Sequence, residues 1–119
     1  MPFTKSATIL VVEENAAVLE LIDQVLRESG HRVLSTKDAV EAIEVAGRVR
    51  IDVVVAGVLL EVRTLVCQLR SIQPEVHMII CDPDDEGETI DRATRLSTPF
   101  SLGDLREAVA ASLDGRETR

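Results

Sequence analysis

At 119 residues the chain has room for one domain and one hydrophobic core. Hydrophobic residues make up 45%, which argues against a disordered chain, and 13 basic against 21 acidic residues with only two aromatics argue against a nucleic-acid binder. No apolar run is long enough to span a bilayer, and Met-Pro-Phe-Thr-Lys at the start lacks a signal-peptide core, so a soluble cytoplasmic protein is expected. The formal charge of −8 reads as a solvated acidic surface.

In chain order, a first strand is expected at 7–12, ending in the acidic pair Glu13 and Glu14. Asn15 can cap a helix whose apolar positions Val18, Leu19, Ile22, Val25 and Leu26 recur at helical spacing, with Gly30 as its stop. Arg32–Thr36 is a short, polar strand suited to a sheet edge. Asp38 caps a second helix carrying Ala39, Val40, Ala42, Ile43 and Ala46 on one face, ending near Gly47. Residues 51–57 form a continuous apolar run, which predicts a strand buried on both faces.

A third helix follows with Val62, Leu65, Val66, Leu69 and Ile72 inward, stopped by Pro74. A fourth strand is expected at 76–81, before the acidic, turn-rich stretch 82–88. Ile90 to Arg95 reads as a weak helical segment, and Leu96-Ser97 as a brief fifth strand. Ser101 and Asp104 have capping-box spacing at the start of a last helix with Leu102, Leu105, Ala108, Val109 and Leu113 inward. A single domain over 1–119 is expected, with its core at about 7–113 and a polar, frayed tail at 114–119. Cys67 and Cys81 have neither C-x-x-C nor metal-ligand spacing and read as small buried hydrophobes. His31 and His77 have no catalytic neighbours in sequence and read as surface or edge residues.

Strands alternating with helices build a parallel sheet, whose working crevice lies beyond the carboxyl ends of the strands. Glu13, Glu14, Gly57 and Asp82 should meet there. Three carboxylates at one edge repel by about 1 kcal/mol per pair at 4 Å in water. A cation, a shared proton or a splayed, solvated arrangement relieves this, so Glu13 and Glu14, with Asp82, are candidate ligands of a weak Mg²⁺ or Ca²⁺ site.

Ile-Leu-Val-Val-Glu-Glu-Asn at 9–15, Ile-Asp-Val-Val-Val-Ala-Gly-Val-Leu-Leu at 51–60 and Leu-Ser-Thr-Pro-Phe-Ser at 96–101 together resemble a bacterial response-regulator receiver domain of the CheY-like kind. The resemblance covers about residues 7–113. It implies a flavodoxin-like, doubly wound sheet of five parallel strands in the order 2-1-3-4-5. Thr98 comes only 16 positions after Asp82, so the fourth helix should be shortened or irregular. It also implies the family's activity, accepting a phosphoryl group from a histidine kinase on an aspartate with Mg²⁺.

The family's functional positions fall here on other residues. The phosphoacceptor position is Gly57, which has no nucleophile. The lysine before the proline is Thr98, so a phosphoryl oxygen would lose its cationic partner. The strand-four serine or threonine is Asp82, and the aromatic switch position is Arg95. The acidic pair is kept in kind as Glu13 and Glu14, and Thr98-Pro99 has the place of the family's cis peptide.

The sequence therefore reads as a pseudo-receiver: no enzyme, no cofactor, and signalling by protein–protein contact without aspartyl phosphorylation. The expected partner is a kinase, regulator or output domain, or a second copy of the chain as a homodimer. The expected contact surfaces are the first helix, the face around Ile90–Leu96 and the last helix. The alternatives are phosphoacceptance on a relocated acid, Asp82 or the worse-placed Asp52, or weak divalent-cation binding.

Overall fold

The structure, a computed structural model, describes residues 6–57, 62–82, 92–97 and 101–117. Its elements in chain order are β1 (Thr8–Val12), α1 (Ala16–Glu28), β2 (Arg32–Thr36), α2 (Ala39–Ala46), β3 (Val53–Ala56), α3 (Val62–Ile72), β4 (His77–Asp82), β5 (Ala93–Ser97) and α4 (Leu102–Glu117). The five strands form one parallel sheet in the order β2-β1-β3-β4-β5. This is the doubly wound, flavodoxin-like topology expected, with the short polar β2 at one edge.

Strand alternation divides the core into two layers. Ile9, Val11, Val53, Val55, Ile79 and Cys81 face one side, where α1 and α4 cover them through Leu19, Ile22, Leu26, Leu105 and Val109. Leu10, Val12, Val54, Ala56, Met78 and Ile80 face the other, under Ala42 and Ala46 of α2 and Leu65, Val66 and Leu69 of α3. The run of β-branched residues in β3 is buried throughout because both faces are covered.

The helix ends follow local chemistry. Asn15 Oδ1 accepts from the N–H groups of Ala17 and Val18, and Asp38 accepts from Glu41 N–H. At the end of α1, Gly30 adopts φ 94°, while His31 N–H donates to Leu26 O and Gly30 N–H to Arg27 O. That is the left-handed stop which glycine permits. Ser101 Oγ accepts from Asp104 N–H and Asp104 Oδ2 from Ser101 N–H, completing the capping box of α4.

Five expectations are corrected. Ala93–Arg95 is strand, not helix: Met78 N–H donates to Arg92 O, and the ladder then runs from Met78↔Ala93 to Asp82↔Ser97. Inter-strand pairing decides that segment, which has few apolar residues to give it a period. The helix of the C-terminus runs through Glu117, so Asp114–Glu117 is not a frayed tail. Val18 and Val40 lie at the edges of their helical stripes and are 39% and 71% exposed. Ile72 and Leu102 are exposed for the same reason at the ends of α3 and α4. Cys67 is exposed, on the outer side of α3, while Cys81 is buried. The acidic stretch 83–88, most of the fourth-helix interval and Thr98-Pro99 lie outside the described residues. Ten residues, 83–92, separate β4 from β5, fewer than the dozen or more that a parallel crossover usually takes.

His31 is part of the frame, since its Nδ1 accepts from Ala7 N–H at 3.2 Å. Burial pushes its pKa below the ordinary 6.5. The unfolded chain thus takes up the proton more readily, and the stability this contact gives above about pH 6.5 is lost as pH falls through the lower folded value. Urea midpoints should drop between about pH 7 and pH 5 more steeply in the native chain than in His31→Gln. Equal slopes would remove His31 from the acid sensitivity of the fold.

Candidate functional site at the carboxyl edge of the sheet

β1 and β3 are neighbours, and the chain winds away from them in opposite directions, so the topological switch point lies where both strands end. Gly57 N–H donates to Val12 O at 2.8 Å, which fixes Gly57 beside the turn that carries Glu13. Glu13 N–H in turn donates to Thr36 O at 3.1 Å. Glu13, Gly57 and Cys81 continue the alternation of Val11, Val55 and Ile79, on the side of the sheet that α1 and α4 cover.

The space above Gly57 is filled by the Glu13 side chain. A Cβ at position 57 would lie 1.8 Å from Glu13 Oε1 and 2.8 Å from its Cδ. The other oxygen, Oε2, accepts from Asn15 N–H at 2.9 Å, which bends the carboxylate back onto its own loop. The same Asn15 caps α1, so the acid and the helix start share one anchor. Gly57 is not in the left-handed region, hence its lack of a side chain serves space and not backbone conformation.

Cys81 is 4% exposed, and its thiol is pushed up to about 12, first by burial and then by the nearby Glu13 carboxylate. It remains a neutral thiol at physiological pH and contributes no nucleophile. Its place beside Glu13 was not read from the sequence; counting alternate residues down the paired strands would have found it.

Arg95 and Asp52 lie away from Gly57. Glu14 is exposed on the β1–α1 loop. Asp82 closes β4 opposite Ser97, and its side chain lies outside the described residues, as does Thr98. Arg95 pairs in register with Ile80, a residue of the α2–α3 layer, and so stands on the opposite side of the sheet from Gly57. Asp52 lies at the other end of β3, where Oδ2 accepts from Thr8 N–H at 2.9 Å. It is a staple between β1 and β3, far along the strand from Gly57. His77 shares a hydrogen bond of 3.0 Å with Thr94 across β4 and β5.

Position 57 supplies no ligand, Glu13 is turned onto it, and among the described residues no three His, Cys, Asp or Glu side chains come together. Oxygen ligands must surround a divalent cation rather than fill its place.

Fold and edge together define an α/β domain of the flavodoxin-like class with an acidic turn at its switch point. More narrowly, it is the fold of the receiver domains of two-component signalling proteins. No family model and no curated protein matches the chain. Among solved structures it is similar to the receiver domain of the hybrid histidine kinase CckA, with TM-score 0.78, 25% identity and coverage of 89% of this chain and 98% of that one. It is similar to a CheY-like receiver domain of Methanospirillum hungatei, with TM-score 0.82 and 19% identity over 96% and 98% of the two chains. A third likeness is to the receiver domain of a Pseudomonas aeruginosa sensor histidine kinase that carries a magnesium ion in its active-site cleft. There the TM-score is 0.79 at 22% identity, over 92% of this chain and 99% of that one. The fold matched is that of a signalling receiver, not of a catalytic enzyme. Among the described residues no helix is long and apolar enough to cross a membrane.

Proposed function

We propose that the chain is a pseudo-receiver, a signalling module that acts by protein–protein contact and takes no phosphoryl group at the end of β3. The observation that carries this reading is the state of position 57: a buried glycine with no nucleophile, beneath a carboxylate. An incoming phosphate would meet the Glu13 carboxylate, and among the described residues no three His, Cys, Asp or Glu side chains gather as a metal centre to offset its charge. Its partner is a kinase, a regulator or an output domain, or a second copy of the chain. The surfaces available to that partner are the exposed side of α1, where Leu21 is 52% exposed, and the side formed by β5 and α4.

The test is intact-mass measurement after incubation with acetyl phosphate and Mg²⁺. The expected result is no phosphoryl adduct, with a receiver domain that keeps its aspartate labelled in parallel. A labile adduct on the native chain would overturn the reading. Mapped to Glu13 or Asp82, it would instead make this a receiver with a relocated acceptor.

A further inference from the structure

On this acidic chain, arginines gather at the amino ends of the strands. Arg32 opens β2, Arg48 and Arg50 lie just before β3, Arg92 precedes β5, and Arg70 reaches Val76 O and Arg92 O. At this end the α2–β3 and α3–β4 connections bound an open groove of about 470 Å³, a volume within the range of ligand pockets. Its walls are fixed before any ligand arrives. The Gln73 amide bridges Ala46 O, Val49 O and Ile51 N–H, so the two connections are tied together and both amide N–H groups are spent. What the groove presents outward is the apolar surface of Val49, Pro74 and Ile72, the last 40% exposed, and the side chains of Arg48 and Arg50. Among the described residues those two guanidinium groups make no ion pair or hydrogen bond. The acid of the lining, Glu75, is held by Arg92 Nη1 at 3.2 Å.

We propose that this groove docks an acidic segment of a partner protein, with carboxylates on Arg48 and Arg50 and an apolar side chain against Ile72 and Val49. Charge complementarity selects the occupant: two cations at the mouth of a groove draw an anionic segment, and guanidinium pairs with carboxylate through two parallel hydrogen bonds. Exposed ion pairs add little affinity by themselves, so an apolar anchor in the groove must supply most of it. A nucleotide or free phosphate has no such means of holding on, because no aromatic side chain lines the groove among the described residues and Gln73 has no donor to spare. The inference goes beyond the pseudo-receiver reading and does not depend on position 57, which lies at the opposite end of β3.

The test is panning of a phage-displayed random dodecapeptide library on the native chain and, in parallel, on the double variant Arg48→Glu/Arg50→Glu. The native chain should enrich peptides in which Asp or Glu flanks Leu, Ile or Phe, and the variant should not. A synthetic copy of the most enriched peptide should bind the variant roughly tenfold more weakly. It should bind Arg106→Glu, a charge reversal on the exposed side of α4, within about twofold of native. In amide spectra of the native chain the peptide should shift Gly47, Val49, Ile51 and Gln73 and leave Asn15 and Leu21 in place. Failure to enrich acidic peptides, equal enrichment on both proteins, or shifts centred on α1 would overturn the proposal. If the double variant does not fold, the shift map on the native chain decides alone. A phosphoryl adduct on the native chain would sink the pseudo-receiver reading and leave this result untouched.

Discussion

Leu105→Ala should destabilise the domain by about 3–4 kcal/mol, seen as a lower urea midpoint with an unchanged slope. Leu105 is fully buried and lies in the same layer as Leu19, Ile22 and Leu26 of α1. α4 docks through few side chains, Leu105, Ala108, Val109 and Leu113, so the cavity left by one leucine has little around it that can collapse. Glu107→Ala, on the exposed side of the same helix, should change stability by less than about 0.5 kcal/mol. A loss below about 1 kcal/mol for Leu105→Ala would mean that α4 is not seated on α1 and the sheet as described. The contrast also guides partner mapping. Only exposed positions such as Arg106, Glu107 and Ala110 can be changed to probe a contact surface without unseating the helix.

Most elements were legible because their periods were strong. Val53–Ala56 sits within an apolar run that only a doubly covered strand explains, and Asn15, Asp38 and Ser101 cap where their side chains predict. Stripe edges were not legible: periodicity places Val18 and Val40 near the core but cannot say that their neighbours fill the contact first. β5 was blurred because an edge strand needs apolar residues on one side only. Its identity lies in the ladder with β4, a tertiary fact. The order of the strands came from the family resemblance and not from any local signal. At the site, the sequence gives Gly57 as a missing nucleophile and Glu13 as a lengthened acid, two separate departures. The structure makes them one arrangement, since the longer side chain fills the place that the glycine leaves open.

Gln73 gives the other large expected effect, at the opposite end of the sheet. Its Nε2 donates to Ala46 O at 2.8 Å and Val49 O at 2.7 Å, and its Oε1 accepts from Ile51 N–H at 2.7 Å. One side chain at the end of α3 thereby satisfies three backbone groups of the α2–β3 connection, beside a groove of about 470 Å³. Gln73→Ala should cost about 2–4 kcal/mol, because half-buried carbonyls and an N–H lose their partners together. Gln73→Glu keeps the acceptor for Ile51 but loses both donors and turns an anion toward two carbonyls, so it should recover little. A cost below about 1 kcal/mol for the alanine variant would mean that water from the open groove replaces the amide. The Asn15 amide should not move in either variant. β3 is hydrogen-bonded to β1 and β4 along its length, so loosening its entry leaves Gly57, at its exit, under Glu13. Stability of the sheet and the arrangement at the carboxyl edge are then separable properties, and Gln73 tests the first.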